Sequence, residues 1–177
     1  AGNWGYYGGG LLIDGGSQVT LDDLVIESNG YISDDNTYRS GGIFIKSSNP
    51  TIQNCVISNN AGYGFHYMMS GGSMSNVLVK SNHGMGAGGG IMSSTCAPTF
   101  NNVTFADNIN DQTYHAAGLH LMHGANPLII NSTFVNNITT QDNPGFTSGA
   151  ISMTNNCHPT LINTIIYANT SPAIHFH

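Results

Sequence analysis

The residues with the most chemical reach are two histidine–methionine pairs. His66-Tyr67-Met68 and His120-Leu121-Met122 repeat one His-x-Met pattern, with Met92 lying between them in the chain. Imidazole nitrogen with thioether sulfur is a ligand set that suits copper. A second set is acidic: Asp34, Asp35, Asp111 and Asp142. Carboxylates and backbone carbonyls of loops hold calcium. Two carboxyl groups about 5–9.5 Å apart cleave glycosidic bonds. No spacing in the chain compels such a pair, and aspartate is also an ordinary turn residue. No residue is therefore assigned a catalytic role.

Composition narrows the partners. Charged residues make up 7% of the 177 residues, the formal charge is −6, and Arg39, Lys46 and Lys80 are the only Lys or Arg cations. A nucleic-acid binder needs a basic footprint to neutralise phosphates, and an anionic membrane surface needs the same. A nucleic-acid partner is therefore not expected, and an anionic membrane surface is disfavoured for the same reason. No apolar run reaches the roughly 18 residues of a membrane-spanning helix, so membrane insertion is not expected either. The chain opens at Ala1 already inside repeat-like sequence and shows no secretory leader, which reads as a mature or trimmed segment. Cys55, Cys96 and Cys157 are odd in number and lack C-x-x-C spacing, against a zinc site or a dense disulfide framework. Low lysine with abundant Asn, Thr and Gly leads us to expect an extracellular or cell-surface protein.

The elements that must position these residues are repeats. One ladder is Asp23, Asn54, Asn76, Asn102, Asn131 and Asn163. A second follows six residues later each time, at Asn29, Asn60, Asn82, Asn108, Asn137 and Asn169. The six-residue offset is constant, whereas units are separated by 31, 22, 26, 29 and 32 residues. One part of each unit is rigid and one loop is free in length, as in a solenoid with insertions on one side. Between the ladders, positions +1 and +3 carry an inward-facing alternation, with Ile26, Ile57, Val79, Phe105, Phe134 and Ile166 at +3. Cys55 falls in the +1 column and reads as a small core hydrophobe. Another apolar column precedes the first ladder: Leu21, Ile52, Met74, Phe100, Ile129 and Leu161. Pro50, Pro98, Pro127 and Pro159 mark its corner, where a strand can start without a backbone donor.

A third strand lies upstream in each unit: Leu11–Ile13, Ile43–Ile45, Phe65–Tyr67, Ile91–Ser93, Leu119–Leu121, Ile151–Met153 and Ile174–Phe176. Its alternate column reads Leu12, Phe44, His66, Met92, His120, Ser152, His175. The next reads Asp14, Lys46, Met68, Ser94, Met122, Thr154, His177. Parity makes these positions exposed, so Phe44, His66, Met68, Met92, His120, Met122 and His175 form a candidate face for a ligand or partner. The competing reading has loops folded over that face. Equivalent atoms two coils apart are about 9.6 Å from one another, too far for one metal ion unless Met92 bridges. Asn-x-Ser/Thr occurs at Asn102, Asn131, Asn137 and Asn169. All four belong to ladders read here as inward, so no glycan is expected on them.

Three short strands per unit predict an all-β, right-handed, single-stranded parallel β-helix over residues 1–177. It has three parallel sheets and about six coils, and its ends appear in the sequence without a capping helix. The Gly41-Gly42-Ile43-Phe44 and Gly89-Gly90-Ile91-Met92 entries, with Phe105–Asn108 and Phe134–Asn137 downstream, resemble the right-handed parallel β-helix repeats of polymorphic outer-membrane proteins and secreted passenger domains. More broadly they resemble pectate-lyase-like solenoids. The resemblance implies the architecture; its activities range from lyases and hydrolases to adhesins and inert stalks. The expected function is an extracellular scaffold, adhesin-type or filament-forming. It would bind a glycan or protein through the Phe/Met/His face or the loops, or self-associate end to end or through that face. The alternative is a polysaccharide-active enzyme using loop carboxylates. No cofactor is required; calcium would be the loop aspartates' ion.

Overall fold

A computed structural model of the chain describes residues 3–5, 8–31, 40–112, 115–141 and 147–176. Short strands of two to eight residues follow one another, with no helix among the described residues. Each strand pairs in parallel with its copy in the next unit, as when Leu12, Phe44 and His66 align across three units. The first sheet has seven strands, from Leu11–Ile13 to Ile174–Phe176. The second and third sheets are joined. Ser73–Lys80 and Thr99–Ala106 run unbroken through the corner that elsewhere separates pairs such as Thr51–Gln53 and Val56–Ser58. A short ladder of His83–Gly84, Ile109–Asn110 and Ile138–Thr139 edges the stack, and Trp4–Gly5 pairs with Gly30–Tyr31. The second sheet's path of six strands makes about five full turns. This is a parallel β-helix, as the repeat requires.

The two asparagine ladders do different work. Asp23, Asn54, Asn76, Asn102, Asn131 and Asn163 all have φ between 48° and 56°. An ordinary L-residue loses about 1–2 kcal/mol there, whereas Asn and Asp adopt it readily. These residues turn the chain between the second and third sheets, and all six are exposed. At the second ladder the positive φ belongs to the residue before: Ser28, Asn59, Ser81, Asp107, Asn136 and Ala168. The ladder side chain is thereby turned inward. Asn29, Asn60, Asn82, Asn108 and Asn137 are buried, and Asn169 is half-buried. Asn82 Oδ1 accepts from the Asn60 backbone N–H at 3.1 Å and from its Nδ2 at 2.9 Å. Asn82 Nδ2 donates to Ile57 O at 3.0 Å and to Asn108 Oδ1 at 3.1 Å. Every hydrogen-bonding direction of a buried amide is used, as burial demands.

The interior is filled by the predicted columns. Ile52, Ile57, Phe65, Met74, Val79, Phe100, Phe105, Ile129 and Phe134 are fully buried, and Cys55 is buried among them. Phe105 and Phe134, one coil apart, stack with centroids 4.5 Å apart and planes 3° from parallel. In-register stacking of like side chains follows from coil-on-coil pairing. One strand of the first sheet departs from the expected register. Gly90, not Ile91, pairs with Phe65 and Leu119, so Met92 pairs with Tyr67 and Leu121 and points into the core. The glycine is required there. A Cβ on Gly90 would lie 2.3 Å from Phe65 Cζ, because the Phe65 ring occupies the space that the missing side chain leaves.

Candidate functional site

The outer side of the first sheet carries the column Leu12, Phe44, His66, Ile91, His120, Ser152, His175. The expected exposure of this column is overturned over its middle. Phe44, His66 and His120 are 2%, 1% and 0% exposed, and Ile91 and Ser152 are buried. Met92 leaves the set entirely, being in the interior. Met68, Met122 and His175 are half-buried. Segments leading into the strands provide the cover. Tyr63, Ala87 and Ile91, with Met122 packed against them, form a small cluster separate from the main core. His115 packs edge-on against His120 with centroids 4.3 Å apart. The face is a layer beneath loops, not a flat open surface.

Inside this layer each buried imidazole meets a serine of the next strand. His66 Nε2 lies 3.0 Å from Ser93 Oγ, and His120 Nδ1 lies 2.5 Å from Ser152 Oγ. His66 also sits edge-on between Phe44 at 4.9 Å and Tyr63 at 6.1 Å. Burial disfavours the imidazolium and lowers the His66 pKa to about 3, so the ring is neutral at physiological pH. The His-x-Met pairs do not converge. His66 and His120 are separated by Ile91 on the intervening strand, and Met68 and Met122 by Ser93. The bridging role considered for Met92 is removed by its inward position.

Of the acidic candidates, Asp34, Asp35 and Asp142 lie outside the described residues. Asp111 is part of a cross-coil cluster. Its Oδ2 accepts from His83 Nε2 at 2.5 Å and its Oδ1 from Thr140 Oγ1 at 2.9 Å. Partial burial works to raise the Asp111 pKa; the bonds from His83 and Thr140 and the His83 charge outweigh it and hold it low. No group of three or more His, Cys, Asp or Glu side chains suited to a metal ion occurs among the described residues. A cleft of about 320 Å³ at the first coil is lined by Leu11, Leu24, Val25, Ile26, Glu27 and Asn29, among others.

The outer side of the second sheet is open. One column runs Thr20, Thr51, Ser73, Thr99, Leu128, Thr160 and the next Asp22, Gln53, Ser75, Asn101, Ile130, Ile162. Beside them the exposed ladder is stitched by side-chain bonds. Asn54 donates to Asp22 at 2.8 Å, Asn76 to Asn54 at 3.2 Å and Asn102 to Asn76 at 2.8 Å. The bonds from Asn54 and Gln53 hold the Asp22 carboxyl below its ordinary pKa. Asn131 donates to Asn101 instead of Asn102, at 3.2 Å, and Asn163 donates to Asn131 at 2.7 Å. Asn102 and Asn131, expected to be inward, are therefore exposed, and burial gives no reason against a glycan there. Asn137 is buried as expected. Sequence reasoning missed His83, His115 and Tyr63, because they sit in segments of variable length where no repeat sets their register.

Residues 1–105 match the family model described as the right-handed β-helix region. That span covers more than half of the chain, and the protein belongs to this family. The family supplies the hand of the solenoid. Comparison with curated proteins and with solved structures returned no match.

Proposed function

We propose that this protein is a rigid binding scaffold of the cell surface or extracellular space, and that it engages a glycan or protein through the outer side of its second sheet. The supporting observation is the open face itself. On the three successive coils from Thr51–Gln53 to Thr99–Asn101, short hydroxyl and amide groups recur beside a bonded, exposed asparagine ladder, before Leu128, Ile130 and Ile162 interrupt the array. Strand spacing sets their repeat at about 4.8 Å. A regular array of neutral donors and acceptors suits an extended, uncharged ligand lying along the solenoid axis. Pre-organisation by the coils lowers the entropy lost on binding. The Phe/Met/His face is not part of this reading, because the middle of it is covered.

The test is adsorption to insoluble polysaccharides and to immobilised surface proteins, comparing the natural chain with the double variant Ser75→Lys, Asn101→Lys. Both side chains face outward from paired strands, so the fold should persist while the array is blocked. Binding lost in the variant supports the assignment; binding that is equal in both, or absent from both, rejects it.

A further inference from the structure

We propose that two copies of this chain dock through the outer side of the third sheet, with their solenoid axes antiparallel. This goes beyond the scaffold reading and does not depend on what the second sheet binds.

The strands that follow the exposed ladder run from Val25–Glu27 to Ile165–Tyr167. Their outward side chains make two columns. One carries a methyl group on every coil: Val25, Val56, Leu78, Thr104, Thr133 and Ile165. The other reads Glu27, Ser58, Lys80, Ala106, Val135 and Tyr167. Unlike the layer over the first sheet, this face is open. Val25, Ile165 and Tyr167 are 64%, 61% and 69% exposed. Val56, Leu78, Thr104, Thr133 and Val135 are half-buried, and Ser58 alone in the two columns is buried. A continuous apolar strip of this kind marks an interaction surface.

Two features select a second copy as the cover. The first is period. Side chains recur about every 4.8 Å along the strip, and they interdigitate best with a sheet of the same spacing packed about 10 Å away. This chain itself carries such a sheet. The second is charge. Asp22, Asp23 and Glu27 sit in the first coil, whereas Asp142 is the only Asp, Glu, Lys or Arg from residue 113 onward. A twofold axis along the strand direction sets the first coil against the sixth, the second against the fifth and the third against the fourth. Val25 then meets the second copy's Ile165, Val56 its Thr133 and Leu78 its Thr104. Glu27 meets the second copy's Tyr167, whose hydroxyl can donate to the carboxylate. Lys80 faces Ala106 and the adjacent Asp107, which is exposed. Lys46 pairs with Asp14 at 3.8 Å, but no ion pair of Lys80 occurs among the described residues. The second copy's Asp107 supplies one, and symmetry makes it twice. The two acidic first coils end up about 24 Å apart, well beyond the screening length. With the axes parallel they would lie side by side, and Lys80 would face Leu78.

The strip is one strand wide, so the association is of the small, reversible class. Sedimentation equilibrium on the full chain from about 5 to about 500 µM covers that class. The natural chain should show a reversible monomer–dimer equilibrium. Leu78→Lys buries an unpaired charge at the centre of the interface and should weaken association at least about tenfold. Its outward position should leave the monomer folded, read as an unchanged circular dichroism spectrum; Thr104→Lys serves if that spectrum changes. Cross-linking reads the orientation, in a Cys157→Ser background that removes the half-buried thiol. A chain with Val25→Cys mixed with one carrying Ile165→Cys should couple through a short bis-maleimide. Neither should couple to itself, because like positions lie about 24 Å apart. A natural chain that stays monomeric over the whole range would overturn the proposal and leave the strip to another molecule. So would a dimer that both lysine variants leave intact, or coupling of the Val25→Cys chain to itself.

Discussion

Single side chains decide which ladder carries stability. Asn108 is fully buried; its Nδ2 donates to Val79 O at 3.0 Å and to Asn137 Oδ1 at 2.9 Å. Its Oδ1 accepts both the backbone and side-chain N–H of Asn82. Replacing it by alanine leaves several buried groups unpaired and should cost about 3 kcal/mol in chemical denaturation. Asn76 is exposed and its φ of 54° suits glycine. Asn76→Gly should stay within about 0.5 kcal/mol of the natural chain. Tyr67 points the other way. Its hydroxyl is buried without a hydrogen-bond partner, and burial, with the nearby Cys96, pushes its ionisation far up. Tyr67→Phe should stabilise the protein by about 1 kcal/mol, read as a higher denaturation midpoint.

At the scale of strands, the first sheet shows how one glycine re-aims a whole element. Gly90 takes the inward place between Phe65 and Leu119, and the Phe65 ring fills its gap. Ile91 thereby turns outward into the covered layer and Met92 inward. Gly90→Ala should destabilise by about 1–3 kcal/mol through overpacking. Combining it with Phe65→Leu should recover part of that loss, and the interaction energy of the double-mutant cycle measures the contact directly. Equal, additive losses would show that the ring is not what excludes a side chain at position 90.

For the molecule as a whole, stability is a sum over coils. Each coil contacts its neighbours through the same three sheets and the same buried amides. Excising residues 77–102 joins Asn76 to Val103, which is the residue aligned with Val77. Nearest-neighbour stacking predicts that this shortened chain still folds as a β-helix, with one cooperative transition at a lower midpoint. Circular dichroism and thermal melting read the outcome, and an unfolded product would mean that distant coils are coupled beyond their shared interfaces.

The sequence by itself determined the coil. The six-residue offset between ladders, the apolar columns and the corner prolines required parallel strands stacked unit on unit, since single units cannot bury such columns alone. It also placed Cys55 in the core. What it left open lay where its period fails. Both ladders are asparagine, yet only backbone angles separate the exposed one at Asn54 and Asn76 from the buried one at Asn60 and Asn82. The glycine run before Ile91 hid a one-residue shift of register, because a residue without a side chain shows no parity. The covered state of Phe44, His66 and His120 was decided by segments of unequal length. Their path over the sheet is fixed by packing in three dimensions and not by any repeat along the chain.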